Sequence, residues 1–241
     1  MVVRLACALA VFFNSLAFAK PVTIAVAANF KHTLELLAAD FQRQTPQFNY
    51  RISSASTGIL YNQITHGAPF DLFFSADDVR PKQLLAAEFA KQEMAYAVGQ
   101  LVFWAPSYVD ANGQKVTHRA LWDNWQQMYA YANPKLAPYG FAAQQLAEHK
   151  DSDAKVVVAN NVSQVFQFVS TGNIAAGFVA RSIQTDFEGS YWLVPQGLHD
   201  GVVQHVALLS DQAQAIEFYK YLLSINAQTI ITENGYLLPK T

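Results

Sequence analysis

Four short stretches of this chain combine residue types suited to one task, the holding of an anion. They are Ala27-Ala28-Asn29-Phe30, Ser54-Ala55-Ser56-Thr57-Gly58, Ala137-Pro138-Tyr139-Gly140 and Asn160-Asn161-Val162-Ser163. In each, an apolar run ends, a small or polar turn follows, and a helical pattern begins. A helix start leaves backbone N–H groups unpaired and carries the positive end of the helix dipole. Together these make an anion site. Ser56 and Thr57 add hydroxyl donors, and Gly58 lets the backbone come close to a ligand. Each turn also has a plainer use. Asn29, Thr57 and Asn161 are residue types that cap helices, and Pro138 suits the first helical position. Any one turn alone reads as a cap. The weight lies in four such turns, none containing a Lys or Arg.

Other chemistry is poorly provided for. The chain has no G-x-S-x-G, H-E-x-x-H, G-x-x-x-x-G-K-[ST] or G-x-G-x-x-G pattern. The histidines, His32, His66, His118, His149, His199 and His205, are scattered; only His199 and His205 are close enough in sequence to suggest a pair. Asp77-Asp78 resembles a paired-carboxylate seed, but reads better as a turn capping the helix before Pro81. Trp104, Trp122, Trp125 and Trp192 do not cluster in sequence, which favours packing over sugar stacking. The reading is therefore of a binding protein and not an enzyme. An exported hydrolase using Asp71, Asp77 or a histidine is the weakest alternative, because no nucleophile–base pattern supports it.

The elements around these turns alternate. Val22 to Ala27 reads as a buried strand, and Phe30, Leu34, Leu37, Ala38 and Phe41 then recur at helical spacing. Tyr50 to Ser54, Phe70 to Ser75, Gln100 to Ala105, Met128 to Ala132, Val156 to Ala159, Ile174 to Ala180 and Val202 to Leu209 read as further strands. Helices follow Thr57, Pro138 and Asn161, and another is expected after Asp211 as its cap, with a last one over Ala227 to Glu233. Such βαβ alternation implies a parallel sheet covered by helices. In open α/β sheets ligands bind beyond the carboxyl ends of the strands, where all four turns lie. No internal repeat or linker stands out, so pattern alone leaves open one large unit or two lobes with crossing chains.

The ends and the composition restrict the setting. Arg4, the apolar run Leu5 to Leu16 and Ala17-Phe18-Ala19 form a signal-peptide pattern over 1–19, with cleavage expected after Ala19. The apolar run is shorter than the roughly 20 residues of a membrane span. Cys7, the only cysteine, lies inside this segment. The remaining chain, about 220 residues, has no thiol or disulfide and must be stabilised by a hydrophobic core. Of 16 Lys+Arg and 18 Asp+Glu, only Arg4 falls in the signal, so the remainder carries a net charge of about −3. No basic run is present, which disfavours nucleic acid and acidic membrane surfaces. An anion would have to be held by local dipoles.

Aligned along these segments, the mature chain resembles the periplasmic molybdate-binding proteins of ABC transporters. The strongest stretch is Ser56-Thr57-Gly58-Ile59-Leu60-Tyr61-Asn62-Gln63-Ile64, continuing through Gly67-Ala68-Pro69-Phe70-Asp71-Leu72-Phe73-Phe74-Ser75-Ala76-Asp77. The resemblance implies an α/β, two-lobed periplasmic binding protein fold (type II). Each lobe would be a mixed, mostly parallel sheet flanked by helices, with the ligand in the interlobe cleft. It implies lobe 1 over 20–101 and 207–241, and lobe 2 over 102–206, with crossings near Leu101–Ala105 and Gln204–Leu208. It implies oxyanion contacts at Asn29, Thr57, Tyr139 and Val162, with Ala28 and Ser56 as adjacent candidates. Asn29 would offer its side-chain amide and backbone N–H, and Thr57 its hydroxyl and backbone N–H. Tyr139 and Val162 would offer mainly backbone N–H, with the Tyr139 hydroxyl in addition. Where some members carry a ligand-binding Tyr, this chain has Ala180 after Gly177-Phe178-Val179. The expected ligand is molybdate or tungstate, bound as an oxyanion with no direct metal ligands and no cofactor. The expected partner is an ABC transporter permease, the protein acting as a monomer in the periplasm. A binding protein of the same fold for sulfate or another small anion is the alternative.

Overall fold

The computed structural model describes residues 20–150, 153–183 and 186–240. The expected signal peptide lies outside the described residues. Ten strands form two five-stranded sheets. The first contains β1 (Val22–Ala27), β2 (Tyr50–Ala55), β3 (Leu72–Phe74), β4 (Gln92–Gly99) and β10 (Val202–Leu208), in the order β2-β1-β3-β10-β4. The second contains β5 (Leu101–Ala105), β6 (Tyr129–Ala132), β7 (Val156–Ala159), β8 (Ala176–Ala180) and β9 (Ser190–Leu193), in the order β7-β6-β8-β5-β9.

The two sheets share one plan, which the sequence did not betray as a repeat. In the first, β1 runs parallel to β2 and β3, while β10 is antiparallel to β3 and β4. In the second, β6 runs parallel to β7 and β8, while β5 is antiparallel to β8 and β9. Each sheet is thus parallel on one side and antiparallel on the other. The antiparallel side is built on the strands that pass between lobes. The chain leaves the first sheet at Gln100, between β4 and β5, and returns between β9 and β10. The sheet boundary therefore differs from the expected residue limits. Leu101 opens a strand of the second sheet, and Val202–Val206, expected in the second lobe, belong to the first sheet.

Burial explains the pattern of side chains. The central strands β5 and β8 are buried along their whole length, while the edge strand β2 alternates or is exposed. Such continuous apolar runs suit strands covered on both faces. Helix α1 (Lys31–Gln44) buries Leu34, Leu37, Ala38 and Phe41, the spacing of one helical face. Phe30, Phe74 and Tyr96 stack and tilt against one another in the first core, and Phe103, Trp122 and Phe178 do so in the second. All four tryptophans are buried in the second core, so they pack and do not line a sugar platform. Removing a ring such as Phe30 would cost about 3–5 kcal/mol.

Some local expectations differ. Strands β4 and β9 carry no clear apolar alternation in sequence; each is an edge strand defined by one distant neighbour, β10 for β4 and β5 for β9. Helix α7 (Ala213–Tyr221) is preceded by Gln212 at its N-cap, while Asp211 forms an ion pair with Lys91. Asp211 thus stands one residue before the cap position and does not take the expected capping role.

Candidate functional site

The first and second turns follow β1 and β2 of the first sheet, and the third and fourth follow β6 and β7 of the second. The first leads through a 3₁₀ turn, Ala28–Phe30, into α1. The others open α2 (Thr57–Thr65), α5 (Pro138–Glu148) and α6 (Val162–Ser170). Adjacent parallel strands end at the same edge, so each lobe aims two helix starts at the cleft. The lobes are closed on one another. Gly58 N–H donates to Leu136 O at 2.9 Å, Arg80 Nη2 to Lys135 O at 3.0 Å, and Ser163 Oγ to Ala28 O at 3.2 Å.

Closure leaves a small pocket, about 10 Å³ in volume, lined by residues from all four turns. Asn29, Thr57, Tyr139 and Val162 all line it, as do Ala28 and Ser56. Among the lining residues there is no Lys, Arg, Asp or Glu. All of the six except Ala28 are at most 3% exposed.

The donors differ in what they have left to give. Ser56 occupies the N-cap of α2 yet makes no side-chain cap bond, and its buried Oγ has no partner. A buried hydroxyl without a partner costs about 1–3 kcal/mol, which an incoming acceptor would relieve. Thr57 Oγ1 accepts from Ala76 N–H at 3.1 Å; its own proton is directed at no protein acceptor among the described residues. The N-cap of α5 is Ala137, which has no side chain able to cap. The backbone N–H of Tyr139 thus keeps the freedom typical of a first turn. At α6, Asn161 Oδ1 accepts from Gln164 N–H at 3.0 Å. Asn161 is therefore a helix cap, and Val162, the first residue of α6, lines the pocket. Gly140 permits this placement of α5. A Cβ there would lie 2.0 Å from Ala132 O on β6.

One expected contribution, the Asn29 side-chain amide, is engaged elsewhere. The Asn29 amide nitrogen donates to Gln204 Oε1 and to Tyr236 Oη, each at 3.0 Å, leaving Asn29 its backbone N–H. The Tyr139 hydroxyl accepts from Gln204 Nε2 at 3.2 Å, which leaves its own proton to be donated. Both side chains belong to a buried network behind the pocket. Tyr96 Oη donates to Gln204 Oε1 at 2.9 Å; Tyr236 Oη and Ser182 Oγ donate to Asn29 O at 2.9 and 3.1 Å. Burial pushes the hydroxyls of Tyr96, Tyr139 and Tyr236 well above the ordinary tyrosine range, so the network stays protonated. Gln204, Tyr96, Tyr236 and Ser182 were not singled out from sequence, because they lie far apart along the chain and match no local motif. Ala180 ends β8 fully buried, paired with Leu101.

The residues that carried the hydrolase alternative have structural tasks. Asp71 accepts from Thr23 N–H, Thr23 Oγ1 and Ser210 Oγ at 2.7–2.8 Å. Asp77 is paired with Arg80 and accepts its backbone N–H, and Asp78 is paired with Lys82 at 2.6 Å. His205 is paired with Glu93, and His199 Nδ1 contacts Asp200 O. Among the described residues no cluster of His, Cys, Asp and Glu could hold a metal ion.

Comparison with known proteins agrees with this architecture. Residues 22–237 match the family model described as bacterial extracellular solute-binding protein. The chain is 36% identical over 233 residues to the molybdate-binding protein ModA of Rhodobacter capsulatus, covering 92% of this chain and 90% of that protein. It is equally 36% identical to ModA of Azotobacter vinelandii, covering 90% of each. The solved structure of the Azotobacter vinelandii periplasmic molybdate-binding protein superposes with a TM-score of 0.78 at 33% identity, covering 91% of this chain and 100% of that one. With the fold matched along nearly its full length and relatives this similar, the chain belongs to the bacterial extracellular solute-binding proteins, in the family of the molybdate-binding proteins.

Proposed function

We propose that this protein captures molybdate, and tungstate with it, in the periplasm and delivers the ion to an ABC transporter permease. The contacts are the hydroxyls of Ser56 and Thr57 and the backbone N–H groups of Ala28, Asn29, Thr57, Tyr139 and Val162. The observation that carries this reading is the buried, unpartnered Ser56 Oγ in a closed pocket without charged lining residues. Such a site offers donors and helix dipoles only. Molybdate, tungstate and sulfate are fully ionised near neutral pH and need nothing else. Hydrogen phosphate carries a proton that asks for an acceptor, and no carboxylate lines the pocket. The relatives named molybdate-binding support the choice among the ionised anions. The segment 1–19 acts in this reading as the export signal, cleaved after Ala19.

Calorimetry with molybdate, tungstate, sulfate and phosphate in turn tests the proposal. Tight binding of the first two is expected, with sulfate and phosphate far weaker. Displacement of molybdate by sulfate at equal concentration would overturn the assignment in favour of a sulfate receptor of the same fold.

A further inference from the structure

Behind the pocket, one side chain reaches both lobes at once. Gln204 lies on β10, fully buried, at the point where the β10–β4 ladder shifts register. Gln204 pairs with Ala97 and His205 with Ala95, so Tyr96 is the extra residue of a β-bulge. Bulges re-aim side chains. Here the two that meet are Tyr96 and Gln204, through the 2.9 Å bond to Gln204 Oε1. The same oxygen accepts from Asn29 of the first lobe, and Gln204 Nε2 donates to Tyr139 of the second. Asn29 and Tyr139 both line the pocket. One amide thus ties together two walls of the binding site that belong to different lobes.

The seat for Tyr139 is specific. A Cβ on Gly99 would lie 2.1 Å from Tyr139 Oη and 2.9 Å from Gln204 Nε2. Gly99 ends β4, immediately before the Gln100 crossing, and its carbonyl accepts from Gln196 in the second crossing at 2.9 Å. The tyrosine hydroxyl therefore fits into a notch at the hinge that only glycine leaves open. When the lobes part, Tyr139 leaves with α5, and a buried amide donor loses its partner. Such a loss is unfavourable, so the bond biases the molecule toward the closed form. The partners named in this network are amides and hydroxyls, without a carboxylate to repel an anion in front of it.

We infer that Gln204 is a positioning residue that couples lobe closure to retention of the oxyanion, by holding Asn29 and, through the Gly99 notch, Tyr139 together. The inference rests on the pocket being an oxyanion site. Its effect appears in how slowly the bound ion leaves, since a latch behind the site acts after the ion has entered.

The test is a cycle of Gln204→Met, Tyr139→Phe and the double variant, with Gly99→Ala beside it. Molybdate dissociation is followed by rapid mixing, and closure by the fall in radius of gyration on adding molybdate. Each single change is expected to speed dissociation by about three- to tenfold, the scale of one hydrogen bond. The double variant is expected to be no faster than the quicker single one, because Gln204→Met already removes the bond that Tyr139→Phe removes. Gly99→Ala, which touches no pocket-lining side chain except through Tyr139, is expected to match them and to reduce the compaction. Unaltered dissociation in Gln204→Met with a lowered melting temperature would make Gln204 merely structural and overturn the latch. So would additive effects in the double variant. If Gln204→Met does not fold, Tyr139→Phe and Gly99→Ala decide: unchanged rates in both overturn the latch. Failure of the unaltered protein to bind molybdate would overturn the oxyanion reading itself, and the latch with it.

Discussion

At the scale of single residues, the site separates donors that belong to side chains from donors that belong to the backbone. Ser56 Oγ is buried without a partner, and Thr57 Oγ1 already accepts from Ala76 N–H. Ser56→Ala removes a hydroxyl that the empty fold cannot satisfy. It is expected to weaken molybdate binding by about 1.5–3 kcal/mol, the value of a hydrogen bond to a charged group, while leaving the melting temperature of the unliganded protein unchanged or raised. Thr57→Ala loses a ligand contact and also the bond from Ala76, so both affinity and stability should fall. In the proposed site Val162 contributes only its backbone N–H, so Val162→Ala should leave the affinity within about twofold. Calorimetry paired with thermal melts distinguishes the three. Equal losses of affinity at positions 56 and 162 would mean that side-chain volume, and not hydrogen bonding, determines the site. The sequence displayed these residues clearly because helix starts have local signatures. It did not display that the Asn29 amide would turn backward, since Gln204 and Tyr236, which accept from it, lie at the far end of the chain.

At the scale of elements, each helix start is only as good as the strand it leaves. Alternation made α1, α2, α5 and α6 legible, and with them the edge on which the turns gather. Strands β4 and β9 were not legible, because their side chains are partly exposed and their partners distant. Those two strands complete the antiparallel halves, so the crossing points were misplaced by a few residues for the same reason. The seating of α5 on β6 is the tightest of these junctions. Gly140→Ala would force a methyl group within 2.0 Å of Ala132 O. Overpacking of this kind costs about 1–3 kcal/mol. The helix must also shift, carrying Tyr139 N–H out of the pocket. A stability loss of about 1–3 kcal/mol, seen as a lowered melting temperature, together with a loss of molybdate binding of at least about tenfold is expected. Retained affinity in a folded variant would show that α5 can move without disturbing the site, and would argue against its N–H as a contact.

At the scale of the whole molecule, the two lobes are alike in how they hold their tyrosines. Burial pushes Tyr129 of the second lobe and Tyr219 of the first up to about 12 each, from an ordinary value of 10.0. Tyr96 and Tyr139, behind the pocket, are pushed further in the same direction. The sign of the consequence is fixed. Below about pH 10 folded and unfolded chains hold these protons equally, and stability is indifferent to them. As pH rises from about 10 through about 12, the unfolded chain releases its tyrosine protons and the folded chain retains them, so stability falls. These groups predict a melting temperature that is level between about pH 7 and about pH 9 and declines above about pH 10. The tyrosinate absorbance of these buried residues, isolated as the part lost when each is changed to Phe, should rise together with loss of helical circular dichroism. Molybdate at a hundred times its dissociation constant adds about 2.7 kcal/mol to the folded state, and should carry both transitions to higher pH together. If that part of the signal develops near pH 10 while the fold remains intact, these hydroxyls reach water in the native molecule. The closed, protonated network behind the pocket could not then hold the lobes together.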